Sequence, residues 1–233
     1  MSFGQLQPIG TEIWIADGPA VSFLGFPYPT RMAVVRLDEG GLWVWSPVEL
    51  SDALKSEVTS LGEARFLVSP NKLHHLFLKQ WTDAFPTAEV HLPPGLARRR
   101  PELRFAAELT DMPPPSWASS IDQVIVRGSL FMDEVLFFHR ASETCLVGDL
   151  IQRFDPSEVK WWQRWILAAD GLLGPKGSAP REWRLSFIHR NAARKAVHHA
   201  IAWKPKRVVI AHGTWVREEG TRALRESFSW LGV

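Results

Sequence analysis

A chain of 233 residues has room for one large domain or two small ones, and it can bury a core without disulfide or metal staples. With 45% apolar and 22% charged residues it is too hydrophobic to be disordered, and a formal charge of +2 implies neither nucleic acid nor an anionic membrane as partner. Cys145 is the one cysteine, which excludes an internal disulfide and suits a reducing, cytoplasmic compartment.

The opening Met1-Ser2-Phe3-Gly4-Gln5-Leu6-Gln7-Pro8 lacks a basic stretch followed by an apolar one, so no signal peptide is expected. Residues 13–16 read as a first strand closed by Asp17-Gly18-Pro19, and residues 32–37 and 42–45 as an antiparallel pair turned at Asp38-Glu39-Gly40-Gly41. Between them, Phe23-Leu24-Gly25-Phe26-Pro27-Tyr28-Pro29-Thr30 reads as a loop near the site, because its prolines and glycine work against a regular element. Ser51 caps a helix carrying Leu54, Val58 and Leu61, and Gly62 ends it. The apolar run of residues 64–68 fits a strand buried on both faces and is broken by Pro70-Asn71, so His74 and His75 fall just past its end. Ligands in α/β sheets collect outside the carboxyl ends of strands, which makes this pair the first candidate for a site.

Residues 76–85 read as a helix stopped by Pro86, and residues 89–92 as a strand. Arg98, Arg99 and Arg100 are consecutive and cannot all face one ligand, so a solvated face is expected there, and Met112-Pro113-Pro114-Pro115 reads as an ordered loop. Strands follow at 123–126, 134–138 and 144–147, the last ended by Gly148-Asp149. Asp155-Pro156 opens a helix in the order expected of a cap and a first-turn proline, with Val159, Trp162 and Ile166 on one stripe. Trp161, Trp162 and Trp165 crowd this segment, and core packing is the expected use of them. A helix over 190–203, a buried strand over 207–211 ending at His212-Gly213, and a helix over 220–231 complete the chain.

Three apolar strands therefore stop at a potential metal ligand or a short loop carrying one: Val68 before His74-His75, Val147 before Asp149, and Ala211 before His212. Imidazole nitrogens and a carboxylate are donors that zinc, iron and manganese accept, so His74, His75, Asp149 and His212 form the candidate set for one divalent transition metal, zinc first.

The order of elements, the strand-then-histidine stretch, Leu146-Val147-Gly148-Asp149-Leu150 and Val208-Val209-Ile210-Ala211-His212-Gly213 resemble the metallo-β-lactamase superfamily over nearly the whole chain. The resemblance implies an α+β fold, the αββα four-layer sandwich of two mixed sheets flanked by helices, as a single domain over residues 1–233. It also implies metal-dependent hydrolysis or, with iron, redox chemistry. The family hallmark His-x-His-x-Asp-His aligns with Pro70-Asn71-Lys72-Leu73-His74-His75, so only His75 matches and His74 stands in the aspartate's place. Arg127-Gly128-Ser129 stands where the family has Gly-His-Thr, and Trp45-Ser46-Pro47 where it has Asp-x-Gly. One ion site is thereby lost, and a two-metal mechanism with it. The expectation is a divergent one-metal hydrolase acting on a small ester, lactone, amide or phosphoester. A catalytically silent binding module and a non-haem iron redox protein are the competing readings. Asp149 and Lys72 are the catalytic candidates, Lys72 because its ammonium aligns with a missing histidine. Arg190 and Arg194 are four apart on a helix and are the candidates for gripping an anionic small-molecule substrate.

Overall fold

The protein is described by a computed structural model covering residues 4–23 and 25–233. Residues 1–3, where the signal-peptide expectation begins, and Leu24 of the aromatic stretch lie outside the described residues. The chain packs as two compact units, one running through Asp122 and including His139–Ser142, the other made of Gln123–Phe138 and Glu143–Val233.

The first unit is built on seven strands lying side by side in chain order: β1 (Gln7–Gly10), β2 (Ile13–Phe23), β3 (Phe26–Arg36), β4 (Leu42–Trp45), β5 (Ala64–Val68), β6 (Glu89–Leu92) and β7 (Ala107–Glu108). Pairing is antiparallel from β1 to β4 and parallel from β4 to β7. The change comes where helices α1 (Asp52–Leu61) and α2 (Leu78–Ala84) supply the crossovers that parallel neighbours require. Ser51 starts α1 as expected, its Oγ accepting the Leu54 N–H at 3.1 Å, and Leu54 and Val58 are buried. They join Val34, Val44, Leu67 and Trp81 in a core on one side of the sheet. On the other side Trp117 packs edge-on against Trp43 and Phe66, so every residue of β4 is buried.

Two expectations are corrected here. β2 does not close at Asp17-Gly18-Pro19 but runs on to Phe23, and the proline-rich stretch is strand β3 rather than a loop. Its prolines are tolerated because β4 pairs only with Ala33–Arg36 of β3, leaving the other half with β2 on one side. Pro29 also falls in the register shift between the Gly18 and Val21 pairs, where no N–H is needed.

The second unit is built on β8 (Ile121–Val126), β9 (Glu134–His139), β10 (Thr144–Arg153) and β11 (Arg207–Gly213), in the spatial order β11-β10-β9-β8 with β10 and β11 parallel. Its helices are α3 (Trp161–Asp170), α4 (Arg181–Leu185), α5 (Arg190–Ala202) and α6 (Gly220–Ser227). α3 starts at Trp161, later than expected, because Asp155 Oδ1 accepts the Ser157 N–H at 2.7 Å and turns the chain locally instead of starting a helix. The larger correction concerns the tryptophans: Trp161 and Trp165 are 73% and 75% exposed and are not core residues. The buried residues of α3 are Gln163 and Leu167, one turn apart on the opposite side. Among the described residues no helix is long and apolar enough to cross a membrane.

His139 is buried where β9 ends, its Nδ1 2.8 Å from Ser142 Oγ. Burial pushes its pKa down to about 4 from 6.5, against a weaker upward pull from the Asp38 carboxylate. The native state thus refuses a proton that the unfolded chain accepts, so stability is full above about pH 6.5 and declines as pH falls toward about 4. Urea midpoints measured across that window are expected to drop in the parent chain and to flatten in His139→Gln. An equal slope in the two would assign the loss to other groups.

Candidate metal centre

The carboxyl ends of two adjacent parallel strands hold the first unit's share of the candidate residues. Trp45 and Val68 are paired at the ends of β4 and β5, and the Ser46 N–H donates to the Val68 carbonyl at 2.8 Å. Ser46 has a left-handed backbone, φ 50, which turns the chain out of the sheet at once. Beyond β5, Asn71 Oδ1 accepts the Leu73 N–H at 2.8 Å, and the Ser69 hydroxyl lies 2.8 Å from the Asn71 carbonyl and 3.0 Å from that of His74. These short polar side chains wind the segment into tight turns, the geometry for which Ser and Asn are suited. His74 is thereby held with its Nδ1 2.6 Å from Ser46 Oγ and its ring stacked on Trp45. With Nδ1 bound to a hydroxyl, Nε2 is the atom that His74 would offer to a metal.

His75 is turned elsewhere. Its Nδ1 lies 2.9 Å from the Lys72 carbonyl, so the Nδ1–H donates back into its own turn, and its pKa is lowered by burial and then by the charge of Arg100. The Lys72 side chain lies against Gly95, where an added Cβ would stand 3.3 Å from Nζ.

The second unit contributes Asp149 and His212, both buried, with Asp149 Oδ1 2.9 Å from His212 Nε2. Contrary to expectation both lie inside strands and not past their ends, and the reason is a large bulge. β10 and β11 pair regularly from Thr144–Arg207 to Val147–Ile210, and pairing resumes at Gln152 opposite His212. Five residues of β10 thus advance against two of β11, which throws Gly148, Asp149, Leu150 and Ile151 out of register. The backbone N–H groups that lose strand partners are taken by the carboxylate of Glu134, the first residue of β9 and fully buried. Its Oε1 accepts from Gly148 at 2.9 Å and Leu150 at 3.3 Å, and its Oε2 accepts from Asp149 at 2.7 Å. At the far end, Gly213 adopts φ 93 beside Arg153, where a Cβ would stand 2.0 Å from the Arg153 carbonyl oxygen, so only glycine lets the strands stay this close after His212.

Glu134 and Ser46 are the residues that sequence reasoning missed. The signal available for Glu134 was a carboxylate opening the apolar run Val135-Leu136-Phe137-Phe138. Gly128 stands in the place of the family histidine and offers no ligand atom, and Ser129 follows it. Its Oγ accepts the Phe131 N–H at 3.0 Å and the Trp183 Nε1–H at 3.1 Å, and lies 2.7 Å from Ser186 Oγ. The Ser186 hydroxyl donates to the Trp183 carbonyl, so Ser129 is the donor between the two hydroxyls. This oxygen joins the 129–132 turn to α4. Arg194 Nε donates to the Leu231 carbonyl at 2.7 Å and holds the C-terminal turn, while Arg190 stands exposed at the start of α5.

Residues 11–165 match the family described as Domain of unknown function (DUF4336). The chain belongs to that family. In this DUF4336 chain the matched residues include His74, His75, Glu134 and Asp149, whereas His212 lies beyond them. No curated protein sequence matches the chain. Among solved structures it is similar to the DIM-1 metallo-β-lactamase, at 13% identity and a TM-score of 0.66, over 98% of this chain and 96% of that one. It is also similar to a metallo-β-lactamase from Pontibacter korlensis at 14% identity, over 98% of each chain with a TM-score of 0.62. A third similarity is to a flavodiiron core from Synechocystis sp. at 12% identity, over 98% of this chain and 60% of that one with a TM-score of 0.64. At such identities the likeness is one of fold: this DUF4336 chain is an α+β protein with two mixed sheets and six α-helices among the described residues, in the metallo-β-lactamase fold. Within the second unit, Asp149 and His212 bring together a buried carboxylate and a buried imidazole, donors of the kind that a divalent metal accepts.

Proposed function

We propose that the chain is a one-metal hydrolase, a single metallo-β-lactamase-like domain in which Asp149 and His212 hold one divalent transition metal and a small ester, lactone, amide or phosphoester is cleaved. The observation that carries this reading is the buried Asp149–His212 pair with its own buried clamp. Asp149 Oδ1 and His212 Nε2 lie 2.9 Å apart and both residues are buried, so a carboxylate and an imidazole are already gathered at one point. These donors suit zinc, and they also suit iron or manganese.

Such an ion supplies a coordinated water of lowered pKa and polarises a substrate oxygen. The chain's own groups do the rest. Glu134 holds the backbone of Asp149 so that its carboxylate is aimed before any ligand arrives. Gly128 has no side chain to offer in place of the family histidine, which supports one ion over two. Arg190, exposed at the start of α5, is the proposed contact for an anionic substrate. A cytoplasmic setting is part of the same reading.

The test begins with elemental analysis of protein purified without chelator, and with the rise in melting temperature on adding zinc. One equivalent of metal per chain, a raised melting temperature, and chelator-sensitive cleavage within a panel of nitrophenyl esters, lactones and phosphoesters are expected. Protein that carries no transition metal and whose melting temperature is indifferent to zinc would overturn the proposal.

A further inference from the structure

The exposed face of α3 is inverted relative to an ordinary surface helix. The helix forms because Gln163 Oε1 accepts the Lys160 N–H at 2.7 Å at its start and Gly171, at φ 74, closes its end. It anchors itself with Gln163 and Leu167, so its remaining faces point outward. Those faces carry Trp161 and Trp165 as one row spaced by four, and Trp162 and Ile166 as a second. All four are exposed. α4 is tied to the end of this helix: Arg181 donates to the Ala169 carbonyl, and Arg184 to the Asp170 carbonyl at 2.7 Å. Leu185 and Ile188, also exposed, follow directly. Six large apolar side chains therefore face water within one stretch of the second unit, far more than scattered surface hydrophobics explain.

We infer that α3 and the segment through Ile188 form a docking face for the surface of an anionic lipid bilayer. Two observations select this occupant. Three of the four large apolar side chains exposed on α3 are tryptophan, whose amphipathic ring favours a membrane–water boundary. The face is also bordered by cations, Lys160 and Arg164 on α3 and Arg190 beyond Ile188, all exposed. Residues 153–190 hold seven Lys and Arg against four Asp and Glu, a balance of +3 where the whole chain has +2. The small overall charge, which alone argues against a membrane partner, hides this local excess. A second copy of the chain is the poorer fit, since a two-fold contact centred on α3 would set Lys160 and Arg164 against their own counterparts.

The experiment is co-sedimentation of the 233-residue chain with vesicles of phosphatidylcholine, with and without phosphatidylglycerol. Binding is expected to the mixed vesicles, to weaken as salt rises, and to fall about tenfold or more in Trp161→Ala/Trp165→Ala. Met112→Ser, which removes an equally exposed apolar side chain from the first unit, should bind like the parent. Lys160→Glu/Arg164→Glu should lose the preference for phosphatidylglycerol and gives a second route to the answer if the tryptophan variant does not fold. No binding to mixed vesicles would overturn the inference. So would equal binding by the tryptophan variant, or a parent dimer that this variant converts to monomer.

Discussion

Glu134→Ala is expected to cost about 3–5 kcal/mol of folding stability, because it strands three buried backbone N–H donors at once, each worth about 1–3 kcal/mol when left unsatisfied. No water can easily replace the carboxylate at a fully buried position inside the sheet. Glu134→Gln makes the sharper variant. Its amide has one carbonyl oxygen and one NH2, so it can accept from the Gly148 and Leu150 side or from Asp149, but must turn a donor toward the other. It is expected to cost about 1–3 kcal/mol and to loosen the bulge that aims Asp149. Urea unfolding gives the first figure, and amide hydrogen exchange at Gly148, Asp149 and Leu150 reads the second without any metal. Variants within about 0.5 kcal/mol of the parent, with unchanged exchange at those three amides, would remove the clamp from the account.

The second large effect is expected on metal retention. Asp149→Asn keeps the shape of the side chain while removing the charge that offsets the ion's, and His212→Ala removes a nitrogen donor altogether. Each should weaken zinc or cobalt binding by more than the about 10–100-fold typical of losing a supporting residue. Glu134→Gln should fall within that smaller range, since it leaves both ligands in place but loosens the bulge that aims Asp149. Titration calorimetry with zinc, with cobalt absorption as a check on the ligand field, orders the three. If Asp149→Asn and His212→Ala bind as tightly as the parent, the proposed ligand set is wrong. His75→Ala separates the turn from the ligands: its ring is bonded to the Lys72 carbonyl, so a modest stability loss without a change in affinity is expected.

The sequence by itself determined the elements whose signals are local. The Ser51 cap, the apolar run ending at Val68 and the strand over 89–92 are dictated by side-chain spacing and by backbone groups within a few residues, and each stands where expected. The likeness in strand-then-ligand order was equally legible, and with it the fold. Only the tertiary structure decided what depends on partners distant in the chain. Pro27 and Pro29 sit in a strand because of what does and does not pair beside them, which no local propensity encodes. Asp149 lies within β10 because a carboxylate fifteen residues earlier takes the N–H of a bulge, so the strand continues where glycine and aspartate would otherwise end it. Arg194 is tied to a carbonyl at Leu231, thirty-seven residues away. The tryptophans of α3 show the converse limit. Their hydrophobicity predicts burial, but a helix has several faces and only the packing of Gln163 and Leu167 determined which one the core would take.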